Sequence, residues 1–249
     1  MSLDGQLIYC AQDPYGELRV FDDGTTRTLS FGPGNEQSAC LKAKPDQLLY
    51  EYTQAMLLAL LFCAPRKVLC LGLGAGSLVT TLQHHCKGMR FTAVELRQAV
   101  IDIARDYFYL PQGKRVTIHC GDAADFVATD TGHYDLIFSD LYTALGLAPV
   151  QLQTDFLRQT AARLKPDGLL VINCWREHQR NEDTLLASLS ELFVDLRSCP
   201  TGDGNWILFA ARWPLESRPK QLRQAAEDWS DRLKFSLLRH LRQLENPLD

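Results

Sequence analysis

The sequence predicts an α/β protein: a doubly wound, seven-stranded, mostly parallel sheet with a small β-rich subdomain in front of it. Three observations carry that reading. Apolar strand-like runs alternate with amphipathic stretches over residues 67–212, the pattern of a parallel sheet covered by helices on both faces. The first of these runs breaks into "LGLGAGS", with Gly72, Gly74 and Gly76 at alternate positions, as at a tight strand-to-helix turn where positive φ and close backbone approach are needed. Each of the next three runs ends in an acid, Glu95, Asp122 and Asp140 in turn.

Residues 5–40 read as short strands. "LIYCAQD" and "GELRVFDDGTTRTLSF" are rich in β-branched and aromatic residues, and Asp23-Gly24 between alternating runs marks a hairpin. "FGPGNEQS" then breaks regular structure. Pro45-Asp46 opens a helix in which Leu48, Leu49, Tyr52, Met56 and Leu60 recur at helical spacing. "KVLCLG" starts the large sheet and leads through the glycine loop into a helix ending near His85. "MRFTAVEL", "RVTIHCGDA", "YDLIFSDL" and "GLLVINCW" are the next four strands, with helices over 97–108 and 152–164 between them. "FVDLRSC" and "WILFAAR" close the sheet as a hairpin across "PTGDGN", so that one strand runs antiparallel. A last helix covers 216–246. Its stripe of Leu222, Ala226, Trp229, Leu233, Leu237, Leu241 and Leu244 packs on the body or on a second subunit, and its basic residues form a solvated face. The organisation expected is a β-hairpin subdomain over 1–44, a Rossmann-like nucleoside-binding catalytic domain over 45–215, and a C-terminal amphipathic helix over 216–249.

A chain of 249 residues with 46% hydrophobic content fills one large domain, or one with an appendage. The net charge of −4 gives no basic surface for nucleic acid. Eight cysteines are scattered without a C-x-x-C pair, which suits buried thiols in a reducing compartment and not a disulfide framework or a zinc site. The N-terminus lacks a basic region followed by an apolar core. The longest apolar run, 55–64, is too short for a bilayer of about 30 Å. The expectation is a soluble cytoplasmic protein that holds no metal and binds neither membrane nor nucleic acid.

The glycine spacing is G-x-G-x-G. Ser77 stands where the dinucleotide pattern G-x-G-x-x-G wants its third glycine. No lysine follows, so the loop is not of the Walker type. Ligands of open α/β sheets bind outside the carboxyl ends of the strands, where the three acids fall. Glu95, 19 residues past Gly76, is placed to accept both ribose hydroxyls. Asp122 is placed to accept from an adenine amino group, and Asp140 sits at the mouth of the central crevice. Ribose and adenine acceptors without a phosphate lysine suit an adenosyl thioether or sulfonium. The structural alternative is that the acids cap helices, with Asp122 capping "AADFVA". His84-His85 reads as a helix end and not as a metal site. Trp175 packs in the core or walls the pocket, and Tyr142 lies on the substrate side or at the surface.

These residues resemble the spermidine synthase (polyamine aminopropyltransferase) family of the S-adenosylmethionine-dependent methyltransferase superfamily. The likeness covers residues 5–212 and rests on the N-terminal hairpin region, "QS" at Gln37-Ser38, "LGLGAGS", "AVEL", "GDA", "YDLIFSD" and "LKPDGLLVIN". It implies that Gly72, Gly74 and Gly76 line the amino-acid end of the nucleoside, that Gln37 lies near it, that Glu95 holds the ribose, and that Asp122 with Ala123 reads the adenine. It implies that Asp140 orients and deprotonates an attacking amine, with decarboxylated S-adenosylmethionine or S-adenosylmethionine as co-substrate, in a homodimer. The chain departs from the family at Ala75, where G-G-G-D-G-G has its acid, and at Thr143, the second acid of D-x-x-D. "LYEYTQ" only loosely echoes the family's Y-H-E. The missing acids are those that would hold ammonium groups, and a buried ammonium without a carboxylate costs several kcal/mol. Binding a diamine then needs acids from elsewhere, and Glu51 is one candidate. The expected activity is aminopropyl transfer to a small-molecule amine. The alternatives are a methyltransferase, or a nucleoside-binding protein whose catalytic set has decayed.

Overall fold

The computed structural model describes residues 5–175, 182–215 and 218–248. The first strands, β1 (Gln6–Asp13), β2 (Gly16–Asp22), β3 (Thr26–Ser30) and β4 (Glu36–Leu41), form an antiparallel meander. Asp22 and Asp23 fold the β2–β3 turn by accepting from the backbone N–H groups of Gly24, Thr25 and Thr26. The break after β3 is shorter than "FGPGNEQS" suggests, because Gln37 and Ser38 already belong to β4.

The large sheet contains β5 (Lys67–Leu71), β6 (Arg90–Glu95), β7 (Val116–Cys120), β8 (Tyr134–Ser139), β11 (Leu164–Trp175), β12 (Asp195–Pro200) and β13 (Asn205–Ala211). Its order is β12-β13-β11-β8-β5-β6-β7. The pairs among β5, β6, β7, β8 and β11 are parallel, and β13 runs antiparallel to both β11 and β12. Strand order therefore reverses between β5 and β8, and a crevice opens at the carboxyl ends of those two strands. Two further short strands, β9 (Tyr142–Thr143) and β10 (Gly146–Leu147), form a small hairpin beside that crevice.

The alternation of side chains along each strand sorts the core into two layers. Val68, Cys70, Leu136, Phe138, Val171, Ile207 and Phe209 face one side. There they meet α1 (Glu51–Met56), the 3-10 turn Leu57–Leu61, α2 (Ser77–His85), α7 (Pro219–Leu233) and α8 (Leu237–Leu241). Leu69, Leu71, Ile137, Leu170, Ile172 and Leu208 face the other side, against α4 (Ala123–Thr129), α5 (Thr154–Ala162) and α6 (Glu182–Leu192). The remaining helix, α3 (Gln98–Tyr107), shares a third cluster with the meander. There Leu18, Val20 and Leu29 pack against Ala75, Val100, Ile103 and Phe108.

Two expected helices are altered. The one expected from Pro45 begins only at Glu51 and tightens after Met56 into a 3-10 turn. Asp46 instead binds His85 Nε2 at 3.1 Å, and its carbonyl accepts from Thr81 Oγ1. The single helix expected over 216–246 is broken at Lys234, which takes a left-handed φ of 65°. Ser230 Oγ then caps the Leu237 N–H at 2.9 Å. The expected start at 216 lies outside the described residues. The apolar stripe of this region, from Trp229 through Leu233, Leu237, Leu241 and Leu244, lies on the chain's own core. None of the described cysteines is in a disulfide. No helix of the described residues is long and apolar enough to cross a membrane.

Candidate active site

A cavity of about 900 Å³ occupies the crevice and takes in Gln37, Gly72, Gly74, Gly76, Glu95 and Asp122. Ala123, Asp140 and Tyr142 line it as well. The structure thus brings together every site residue expected from the sequence except Glu51.

The loop after β5 is shaped by close contacts. Gly72, at φ 90°, donates to Val94 O at 2.9 Å, and a Cβ added there would lie 2.2 Å from Asp140 O. Gly74 passes under Ser38, whose Oγ accepts from the Ala75 N–H at 3.2 Å. Gly76 ends the loop at φ 79° against Leu110. Ser38 comes from β4, so the meander forms one wall of the loop. Ala75, where the family has an acid, is 1% exposed and packs with Val100 and Phe108. It is a core position here and not a ligand position.

Glu95, at the end of β6, is buried. Its Oε2 accepts from the Leu73 N–H at 3.2 Å and its Oε1 from the Arg97 N–H at 3.0 Å. Burial raises its pKa, against the lowering effect of these N–H donors. The side chain of Arg97 turns away and binds both oxygens of Asp13 on the meander, at 2.8 and 2.9 Å. Asp122 caps α4 through the N–H groups of Ala124 and Asp125. The capping role and the place in the cavity wall coexist in one side chain, because a cap occupies only part of a carboxylate's acceptor capacity. Gln37 lines the cavity with its amide held by Asn35 Oδ1 at 2.6 Å.

Asp140 follows β8 at the floor of the crevice. Its backbone N–H donates to Leu71 O at 2.9 Å, and its Oδ1 accepts from Asn173 Nδ2 at 2.8 Å. Burial pushes its pKa up to about 6, and the Asn173 hydrogen bond only partly opposes that. Tyr52 and Tyr142 lie close enough for Asp140 and Asp203 to raise their phenol pKa values further, beyond the larger effect of burial. The Tyr142 hydroxyl is buried without a hydrogen-bond partner among the described residues.

Glu51 does not line the cavity. Its carboxylate meets Arg239 at 2.8 Å and the Gly202 N–H at 3.2 Å, so it is not available as the replacement acid. The structure supplies other acids that sequence reading missed. Glu36 from β4 and Asp203 from the β12–β13 turn both line the cavity. With Glu95, Asp122 and Asp140 they make five carboxylates, with no lysine, arginine or histidine among the described lining residues. Asn173, Ser38 and Trp175 are lining residues too. Asn173 had a signal in the sequence, as a lone amide inside the apolar run "GLLVINCW".

The chain is similar to known proteins in sequence and in structure. A family profile described as "Spermine/spermidine synthase domain" matches residues 51–202. A polyamine aminopropyltransferase of Neisseria meningitidis serogroup A is 27% identical over 227 residues, spanning 89% of this chain and 86% of its own. In structure, a probable spermidine synthase from Corynebacterium glutamicum matches with a TM-score of 0.77 at 22% identity, over 90% of this chain and 88% of its own. Human methyltransferase-like protein 13, solved in complex with SAH, matches with a TM-score of 0.67 at 24% identity, over 75% of this chain and 93% of its own.

Proposed function

The chain belongs to the spermine/spermidine synthase domain family, and from that premise we propose that it is a transferase that binds an adenosyl sulfonium under the glycine loop and passes its aminopropyl group to an amine. The observation that carries this reading is the charge of the cavity: five carboxylates and no cationic side chain among the described lining residues. Such a wall favours two cationic reactants, a sulfonium bearing a free amine and an ammonium acceptor. Among the described lining residues it offers no cationic partner to the carboxylate of S-adenosylmethionine, which favours the decarboxylated co-substrate.

Glu95 is placed to hold the ribose, Asp122 and Ala123 to flank the adenine, and Gln37 and the loop glycines to close over the nucleoside. Asp140 takes a proton from the acceptor ammonium. The freed nitrogen attacks the carbon beside sulfur, the C–N bond forms, and the C–S bond breaks with its electron pair going to sulfur. The products are an alkylated amine and neutral methylthioadenosine. The leaving group is already good, so positioning supplies much of the rate. Glu36 and Asp203 take the place of Glu51 as partners for a second ammonium of the acceptor. A homodimer and a cytoplasmic location belong to this reading on the family resemblance alone, and light scattering of the purified protein tests the first.

A second reading, methyl transfer from S-adenosylmethionine, is favoured by Thr143, which leaves the hairpin β9–β10 without the family's second acid. A thermal-shift titration separates the two. The ligands are S-adenosylmethionine, its decarboxylated form, methylthioadenosine and S-adenosylhomocysteine. Saturation to 100 times Kd adds about 2.7 kcal/mol of stability. Preference for the decarboxylated ligand and methylthioadenosine is the expected result. Preference for the two ligands that carry a carboxylate overturns aminopropyl transfer.

A further inference from the structure

Gln151 has no exposed surface, although it lies in the polar-looking segment "PVQLQTD". It occupies the 3-10 turn Pro149–Leu152 that leads to α5. Burying an amide is costly unless its groups are paired, and here they are. Its Oε1 accepts from Ser139 Oγ at 2.7 Å and from the Leu141 N–H at 3.0 Å. Its Nε2 donates to Asn173 O at 2.7 Å.

These three partners share one relationship. Ser139 and Leu141 flank Asp140 in the chain, and Asn173 is the residue whose side chain donates to Asp140. The location explains why a side chain is needed. The β8–β11 ladder pairs residues only as far as Ile172 with Ser139. Asp140 and Asn173 lie one residue beyond that last pair. On the β5 side the backbone still holds Asp140, through its N–H on Leu71 O. On the β11 side the glutamine side chain continues the connection where the backbone ladder stops.

We propose that Gln151 is a positioning residue for Asp140, bridging the ends of β8 and β11 so that both the backbone carrying the carboxylate and the Asn173 amide that grips it are fixed. A purely structural staple would cost stability when removed and leave the behaviour of Asp140 unchanged. A positioning residue changes how Asp140 titrates. The Asn173 donor favours the carboxylate form, so loosening it raises the pKa of Asp140 and moves the acid limb of activity to higher pH. Among the described residues, Cys70 of β5, Tyr52 of α1 and Tyr142 of β9 face Asp140, with Asp203 of the β12–β13 turn beyond the two tyrosines, and burial raises the thiol and both phenols. Neither the thiol nor the phenols titrate near neutral pH. Glu95, elsewhere in the cavity, is also raised, so the measurement must report on Asp140 itself.

The test uses Gln151→Leu and Gln151→Glu in the full chain. In the unliganded protein, the Asp140 carboxyl carbon is followed by NMR through a pH titration and identified by its loss in Asp140→Asn. Its midpoint is expected to rise by about half a unit or more in Gln151→Leu. The assay for aminopropyl transfer is expected to show kcat lowered at least about tenfold, with KM for the adenosyl co-substrate little changed. Gln151→Glu gives a second signature. The protonated acid reproduces the glutamine pattern, accepting from Ser139 and Leu141 and donating to Asn173 O. The ionised form has no proton to donate. This variant is expected to be active only above the acid limb set by Asp140 and to lose activity again as the new carboxyl ionises, so that its alkaline limb falls at lower pH than that of the wild type. It also serves if Gln151→Leu does not fold. An unmoved Asp140 midpoint in Gln151→Leu, or a wild-type pH profile in Gln151→Glu, overturns the proposal. The kinetic arm rests on the aminopropyl-transfer reading and the NMR arm does not, so failure of either inference is recognisable.

Discussion

The side-chain amide of Asn173 donates to Asp140 Oδ1 at 2.8 Å, and no described cation pairs with that carboxylate. A neutral donor steadies the group without fully compensating its charge. Burial therefore prevails and holds the pKa at about 6, which suits a base that must take up a proton and give it back near neutral pH.

Replacing Asp140 with Asn should lower kcat by about 10²- to 10⁴-fold, while methylthioadenosine binding, measured by calorimetry, stays close to wild type. Stability should move the other way. The folded-state pKa of Asp140 lies above the unfolded value of about 3.9, so ionising it costs stability as pH rises from about 4 to 6. Above pH 6 the Asn variant is expected to melt at or above the wild-type temperature. A variant that is both inactive and markedly less stable at pH 7.5 would show that the carboxylate is a structural group.

Glu95→Ala should weaken methylthioadenosine binding by at least about 100-fold and destabilise the fold by roughly 1–3 kcal/mol, because the Leu73 and Arg97 N–H groups lose their acceptors. Wild-type affinity in this variant would remove the ribose role from Glu95.

Gly72→Ala should be among the most damaging single changes. The added Cβ meets the Asp140 backbone carbonyl at 2.2 Å, at a φ of 90°. Gly16→Ala is the control, because it has a φ of 116° and nothing within 4 Å of the new Cβ. Strain alone costs about 1–3 kcal/mol, and thermal melts should show Gly72→Ala losing well beyond that and Gly16→Ala losing no more. Equal losses would mean that the loop can move away from β8.

Asp13→Asn breaks a paired, nearly buried charge. Arg97 is 5% exposed and Asp13 17%. Leaving the guanidinium without its partner should cost roughly 3–5 kcal/mol and should also weaken nucleoside binding, since the Arg97 backbone holds Glu95. Burial acts to raise the Asp13 pKa, but its Arg97 and backbone hydrogen bonds outweigh that and leave it lowered. The contribution of the pair is therefore fully present above the ordinary carboxylate pKa and lost as pH falls through the lowered one, below about pH 4. Acid melts of wild type and variant should converge there. If they run parallel, the pair does not link the two sheets.

Much of the candidate cavity was legible because strand order and glycine placement locate a crevice at the carboxyl ends of the strands. Gly72, Gly74, Gly76, Glu95, Asp122 and Asp140 are all close to β-strand ends, and a periodic apolar run locates such an end to within a residue or two. Glu51 was misread because its destination is set by a partner far along the chain, Arg239, to which sequence spacing gives no clue. Gln151 was invisible for the same reason. Its bonds reach 22 residues on to Asn173, and in sequence it is one polar residue among several. Asp203 and Glu36 lie in a turn and at a strand start, where acids are ordinary. The helix expected from Pro45 and the unbroken helix over 216–246 failed at points where side chains, Asp46 on His85 and Ser230 on the Leu237 N–H, took over backbone direction from periodicity.

The third core cluster has a consequence for how the chain is made. Leu18, Val20 and Leu29 leave the ribosome some eighty residues before their apolar neighbours Val100, Ile103 and Phe108. A lone meander of this size cannot bury enough surface to be stable. Residues 6–41 should therefore remain unprotected on the nascent chain until α3 has emerged, exposing the edges of β1 and β4 to chaperones meanwhile. Arrested chains ending before and after that point should differ sharply in protease resistance over residues 6–41. Early protection would mean that the meander folds on its own and docks later.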